Sequence, residues 1–390
     1  MKRHAFLAGI GAAATATRAR AQILPPSPLN PTQPARQLTI AVNVPLSGIY
    51  AAYGADVVSG VKAAIDENNL LTNVSQIVYG TRPLDDQNSG AISTANASIA
   101  AGDPTVIGIV GNLTADVTIA TLPQYANTGF AVVVPSVTAN ALTERGYHNI
   151  FRLPTKDLVA GQLFASTIFR KQPSALAFAV TTDGSYGPDV ARGFIQQARA
   201  DRRQVDTVTL PLAALDFPSA AKAIVQRSPD YLFLCGKFAE LGPIIPALAA
   251  AGYNGAYGLS DGFYTTDTLT KYGPQLGNAI AYSSLPPLDR IPSMFQQLLD
   301  LRREVTNINA LIAYGYAAAQ VIIQAASRTG AITRFSLLTA MQTSGSFTTL
   351  VGPYSFNVYG DPLIPNLYFF KIAGTQFSYL EPAVHNGFIV

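Results

Sequence analysis

The sequence predicts an α/β protein built on two mainly parallel sheets, each flanked by helices. Short, nearly continuous apolar runs of strand length recur from residue 38 onward, as expected where helices cover both faces of a parallel sheet. Amphipathic stretches alternate with them, which is the βαβ rhythm. The chain has 390 residues, 48% hydrophobic and only 13% charged. At about 100–200 residues per domain that is enough for two cores, and it is too apolar for a disordered chain.

The first 21 residues read as a secretory leader. Lys2-Arg3-His4 gives a positive start, Ala5 to Ala14 a short apolar run, and Ala19-Arg20-Ala21 a small-x-small cleavage site. Lys2-Arg3 leaves both the Sec and the twin-arginine routes open. The formal charge is +3, but Lys2, Arg3, Arg18 and Arg20 all lie in this leader, and without them the rest carries −1. The basic balance therefore implies no nucleic-acid partner. Residues 22–36 follow as a linker in which Pro25, Pro26, Pro28, Pro31 and Pro34 fix backbone angles and remove amide donors, so an extended spacer is expected.

From Leu38 the β-branched runs Leu38–Val44, Gln76–Tyr79, Val106–Val110, Ala131–Val134, Ala175–Val180, Val205–Leu210 and Tyr231–Leu234 are predicted strands. Val57, Val61, Ala64 and Ile65 share one helical face, and Leu311, Ala318, Val321, Ile322 and Ala325 share another. Beyond residue 345 the pattern becomes strand and turn: Thr348–Val351, Tyr354–Phe356 and Leu367–Ile372, separated by Gly352-Pro353 and Gly360-Asp361. The single cysteine, Cys235, falls within an apolar run and is expected to be a packed thiol. No stretch approaches the ~20 uninterrupted apolar residues of a membrane span.

The residues do not assemble an enzyme. Only His148 and His385 lie beyond the leader, so a zinc site of the usual ligand set is not expected, and no cofactor is implied. Gly184-Ser185-Tyr186-Gly187 lacks the G-x-S-x-G spacing of a nucleophile elbow. Gly108-Ile109-Val110-Gly111 lacks both the third glycine of a dinucleotide loop and the Lys-Ser/Thr of a P-loop. Asp85-Asp86 is an adjacent pair whose side chains point apart, suiting a turn or a cap better than acid/base work.

Several short segments carry a resemblance in order. They are Val44-Pro45-Leu46-Ser47-Gly48 with Ala52-Tyr53-Gly54; Tyr79 with Asp85-Asp86; Ile107-Gly108 through Asn112-Leu113; and Val134-Pro135-Ser136-Val137-Thr138 with Leu142 to Tyr147. Asp183 to Gly187, Gly236 to Glu240, Asp261-Gly262, Gly352-Pro353 and Gly360-Asp361 continue the series. Over roughly residues 38 to 373 the chain resembles the type I periplasmic binding proteins, and within them the leucine/isoleucine/valine-binding branch that serves ABC importers. The resemblance implies two lobes with a ligand cleft between them: residues 37–153 plus 285–366 in the first, 154–284 plus 367–390 in the second.

It also implies a binding site. In the family, amides and hydroxyls of two loops that follow strands and open helices hold the ligand's carboxylate, where unpaired amides and the helix dipole favour an anion. The second such loop matches Ser136-Val137-Thr138, whose hydroxyls serve equally well as helix caps. The first matches Thr114-Ala115, where Ala115 replaces the serine that relatives commonly carry. Opposite, Asp261 matches the acidic residue that meets the ligand's ammonium; Asp before Gly is also an ordinary turn pair. Tyr53 and Tyr186 match aromatics facing the cleft from the two lobes. Phe238 matches a wall of the side-chain pocket, with Lys237 as the neighbour if the register shifts by one.

The implied protein is a monomeric, periplasmic or extracellular solute-binding subunit that captures an amino acid or related molecule by lobe closure and passes it to a membrane permease. A ligand sensor of the same fold is the alternative, and a hydrolase using Ser185 or Asp85-Asp86 a more distant one. Leucine-like and other amino acids, short amides and aromatic or dicarboxylic acids all fit the sequence as ligands.

Overall fold

The computed structural model describes residues 35–71, 77–173, 175–287, 308–329, 332–382, 384–385 and 388–389. The predicted leader and nearly all of the proline-rich linker lie outside the described residues.

Two sheets form. The first is five-stranded, all parallel, in the order β2-β1-β3-β4-β5: β1 Arg36–Val44, β2 Ile77–Asp85, β3 Val106–Gly111, β4 Ala131–Val134 and β5 Ile150–Arg152. Helices α1 (Ala51–Leu71), α2 (Gly90–Ala101) and α3 (Ala115–Thr128) connect its first strands. The second sheet is seven-stranded. Its parallel part comprises β6 Ala177–Thr182, β7 Val205–Leu210, β8 Tyr231–Cys235, β9 Ala256–Leu259 and β10 Ile280–Ser283, with α4 (Asp157–Lys171) leading in and α5 (Pro188–Ala200) following β6.

The predicted rhythm holds, and the departures have local causes. Strand β2 runs six residues beyond its predicted end, through Pro83, because it is an edge strand paired only with β1, where a missing amide costs no ladder bond. Strands β5, β9 and β10 are three or four residues long, too short to show a period, and are absent from the sequence reading. The predicted turn Gly352-Pro353 lies instead inside a short strand, Gly352–Tyr354, that pairs antiparallel with Phe347–Thr349.

After the second sheet the chain returns to the first. The helix Ala310–Ser327 is, among the described residues, the one with the length and apolarity to cross a membrane, but it is a core element here: Ala318, Val321, Ile322 and Ala325 are all fully buried, and Leu311 packs at the edge. It crosses α1 with backbones in contact, since a Cβ on Gly60 would fall on the Ile312 carbonyl and one on Gly315 on the Val57 carbonyl. The second sheet repeats the device, with Gly161 of α4 against Val190 and Gly193 of α5 against Leu158. The chain then crosses again to add two antiparallel strands, Tyr368–Ala373 against β10 and Gln376–Pro382 outside it.

Cores form separately around each sheet. An aromatic group of Phe164, Phe194, Phe233 and Tyr282 fills the second, with Phe164 and Phe233 stacked at 4.2 Å. Cys235 is fully buried there, and burial raises its thiol pKa well above the ordinary value.

Candidate functional site

Parallel strands send all their C-terminal loops to one edge, which is where open α/β sheets bind ligands. In both sheets those loops meet at one cavity of about 320 Å³. The first sheet contributes Tyr50 after β1, Asn88 after β2, Leu113 to Asp116 after β3 and Ser136 to Ala139 after β4. The second contributes Ser185 and Tyr186 after β6 and Lys237 after β8, with Asp157 from the start of α4.

One wall is rich in amide donors. Thr114 is the N-cap of α3, yet its hydroxyl donates to Asn88 Oδ1 at 2.7 Å instead of capping, so the first-turn amides at Ala115 and Asp116 keep their positive end toward the cavity. The Ser136–Ala139 loop behaves alike. Its carbonyls are occupied: Thr138 O accepts from the Asp157 amide at 3.0 Å and from Arg152 Nη1 at 2.8 Å, and Ala139 O accepts from the same nitrogen at 2.9 Å. Among the described residues, the amides of Val137, Thr138 and Ala139 have no such partner. Ser136 gives its hydroxyl to the Leu113 carbonyl at 2.7 Å, binding the two loops together.

Charged groups lie beside this loop and toward the second sheet: the lining carries Asp157 at the start of α4 and Lys237 after β8. Asp157 is buried, and its carboxyl is raised to about 7. Burial is the main cause and the Asp261 charge adds to it, while a Thr138 hydrogen bond and the Arg152 charge pull the other way. Asp261 itself, half-buried at the end of β9, is also raised by burial, and Tyr186 donates its hydroxyl to it. The Tyr282 hydroxyl faces the same carboxylate without hydrogen-bond geometry.

Thr114, Ala115, Ser136, Val137, Thr138 and Tyr186 thus line one cavity. Asp261 stands one layer behind, reached through Tyr186. Tyr53 is not among the lining residues: it is 52% exposed, its ring 6.4 Å from that of Tyr50, which takes the lining position. Phe238 turns away as well, packing edge-on to Phe263 at 6.0 Å because it opens a short helix whose buried side faces the second core. Its neighbour Lys237 reaches the cavity and pairs with Glu240 at 3.1 Å. Asp157 carries no sequence signal of a site, because an acidic residue in the first turn of a helix is ordinary dipole chemistry. Asp85-Asp86 serves as a turn: Asp85 accepts from the amides of Leu46 and Gln87, and buried Asp86 from Asn112. His148 lies away from Ser185, its ring against the Val358 carbonyl.

Two α/β lobes whose strand ends face a shared cavity lined by free loop amides and by carboxyl groups have the arrangement of a solute-binding protein. The family comparison agrees. The chain belongs to the periplasmic binding protein family, whose model matches residues 37–376. Among its relatives is the Leu/Ile/Val-binding protein homolog 2 of Brucella abortus, 25% identical over 333 residues, which cover 83% of this chain and 87% of that protein. Homolog 1 of Brucella melitensis is 26% identical over 354 residues, 88% of this chain and 93% of the relative. Similar folds include an ABC transporter substrate-binding protein from Desulfitobacterium hafniense in complex with Leu (TM-score 0.74, 19% identity, 88% of this chain and 100% of that one). A solute-binding protein from R. palustris in complex with benzoate is also similar (TM-score 0.69, 20% identity, 88% and 95%). These relatives are binding proteins, not enzymes, and membership in the family places the working protein outside the cytoplasm.

Proposed function

We propose that this chain captures a zwitterionic amino acid of the leucine type and delivers it to the permease of an ABC importer. The observation that carries the reading is the polarity of the cavity, which gathers free amides at Ala115 and Val137–Ala139, the carboxyl of Asp157, and Tyr186 with Asp261 behind it. An α-carboxylate against the amides and an α-ammonium toward the acidic groups satisfy both with charge-assisted hydrogen bonds. Thr138 adds a hydroxyl to the acid side. Tyr50, Leu113 and Val137 offer the apolar surface for a side chain.

Ala115 supplies only its amide, so a carboxylate meets one hydroxyl fewer than with a serine. Benzoate, bound by one structural neighbour, has no cation to meet Asp157 and Asp261 and would add a third acidic group to a closed cleft, which disfavours it. Closure brings residues 37–153 with 285–366 against 154–284 with 367–390, and the permease distinguishes closed from open. The protein acts as a monomer, exported by residues 1–21.

The test is a thermal-shift and calorimetry series on the exported chain with L-leucine, other amino acids, short amides and benzoate. Stabilisation by L-leucine or its analogues supports the reading. Stabilisation by benzoate alone defeats it. Loss of amino-acid uptake on deleting a partner permease supports transport over sensing.

A further inference from the structure

The loop that offers its amides to the cavity is not held by its own sheet alone. Arg152, at the end of β5, has no exposed side-chain surface. Its guanidinium is spread over three segments. Nη1 donates to the carbonyls of Thr138 and Ala139, Nη2 donates to Thr143 Oγ1 at 2.7 Å, and Nε pairs with Asp361 Oδ1 at 2.7 Å. Asp361 accepts from Thr143 Oγ1 at 2.8 Å and meets Lys156 Nζ at 3.3 Å. Main chain closes the knot, the Arg152 amide donating to Gly360 O at 2.9 Å.

These residues sit at two of the places where the chain passes between the sheets. Residues 153–156 lead from β5 into α4, and residues 355–367 lead from the short strand Gly352–Tyr354 into the strand Tyr368–Ala373. The start of α4 is also tied to the loop, since the Asp157 and Leu158 amides donate to Thr138 O and Asn140 Oδ1. A planar cation with five donors in a fixed fork can saturate neighbouring carbonyls as a lysine cannot. With their oxygens held behind the loop, the amides of residues 137–139 are the groups left to face the cavity.

We propose that Arg152, braced by Asp361, is the positioning residue of the carboxylate-binding loop and fastens that loop to the crossovers about which the lobes move. The inference rests on the reading of that loop as the carboxylate site. Closure then proceeds around a loop whose donors are already aimed, so ligand contact and lobe rotation share one rigid point.

The test compares wild type, Arg152→Lys and Thr143→Val in two arms: backbone amide order parameters by NMR, and L-leucine affinity by calorimetry. In Arg152→Lys the amides of Val137, Thr138 and Ala139 should fall from about 0.85 to below about 0.6, with β6 and β8 unchanged. L-leucine affinity should drop at least tenfold. Thr143→Val, which removes one acceptor, should show the same pattern with an affinity loss of about threefold to fivefold, and it decides the matter if Arg152→Lys does not fold. Loop amides that stay rigid in the folded variants overturn the proposal, as does uniform loosening of the whole protein. Should wild type bind no L-leucine, the ligand assignment fails and the amide arm alone judges Arg152.

Discussion

Tyr186 donates its hydroxyl to Asp261, so the ring that lines the cavity is held by a carboxylate one layer behind it. Asp261 thereby acts on a ligand both through its charge and by orienting the tyrosine. Asp261→Ala should weaken an amino acid by at least tenfold in calorimetry, about 1.4 kcal/mol or more, whereas Tyr186→Phe keeps the charge and should cost less. Equal affinity for wild type and Asp261→Ala would remove the residue from the site.

Asp157 makes binding depend on pH. Its carboxyl is raised from 3.8 to about 7 in the folded protein, by burial and by Asp261, against Arg152 and Thr138, with Asp189 adding to the rise. A group raised on folding contributes stability that is complete below about pH 4 and lost as pH climbs through about 7. The empty protein should therefore lose stability from this group between pH 5 and 8, on the order of a few kcal/mol. A ligand ammonium favours the ionised form, so the melting shift from L-leucine should be larger at pH 8 than at pH 5. Asp157→Asn should flatten both trends; a profile that keeps its slope in the variant assigns the titration elsewhere.

The carboxylate side separates binding from capping. Ser136 already spends its proton on the Leu113 carbonyl, so the double variant Ser136→Ala/Thr138→Ala removes one loop-to-loop hydrogen bond, worth about 1 kcal/mol, and the Thr138 hydroxyl that hydrogen-bonds Asp157. The empty protein should melt within a few degrees of wild type while L-leucine affinity falls about tenfold. A large drop in melting temperature at unchanged affinity would make these residues structural.

Gly161 is required by the contact of two backbones. A Cβ there would fall on the Val190 carbonyl of α5, so Gly161→Val should force the helices apart and destabilise the protein by about 1–3 kcal/mol or more in urea unfolding. Gly345, whose Cβ would meet nothing within 4 Å, should tolerate alanine. Similar losses at both positions would contradict the close crossing.

Cys235 should be chemically silent. The thiol is fully buried and its pKa is raised by burial, which withdraws the reactive thiolate. Aromatic disulfide reagents should modify it only after unfolding. Rapid reaction in the native state would show that the second core opens locally.

Much of this protein is legible in one dimension because its elements announce themselves locally. The β-branched composition of β1, β3, β4, β6 and β7 and the apolar run of β8 declare strands, and the stripe through Val57, Val61, Ala64 and Ile65 declares a buried helical face. The collinear segments from Val44 to Asp361 likewise carry the family, and the fold gathers Thr114, Ala115, Ser136, Val137, Thr138 and Tyr186 at one cavity. Side-chain direction is another matter. Tyr50 and Tyr53, or Lys237 and Phe238, are neighbours in the chain but face different surroundings, and a shift of one to three residues around a helix start decides which reaches the cavity. Asp157 and Arg152 gain their roles only from partners 104 and 209 positions away, Asp261 and Asp361. Burial and long-range charge have no local signature: composition and period determined the two sheets, and folding alone chose which carboxylates and which amides meet at the cavity.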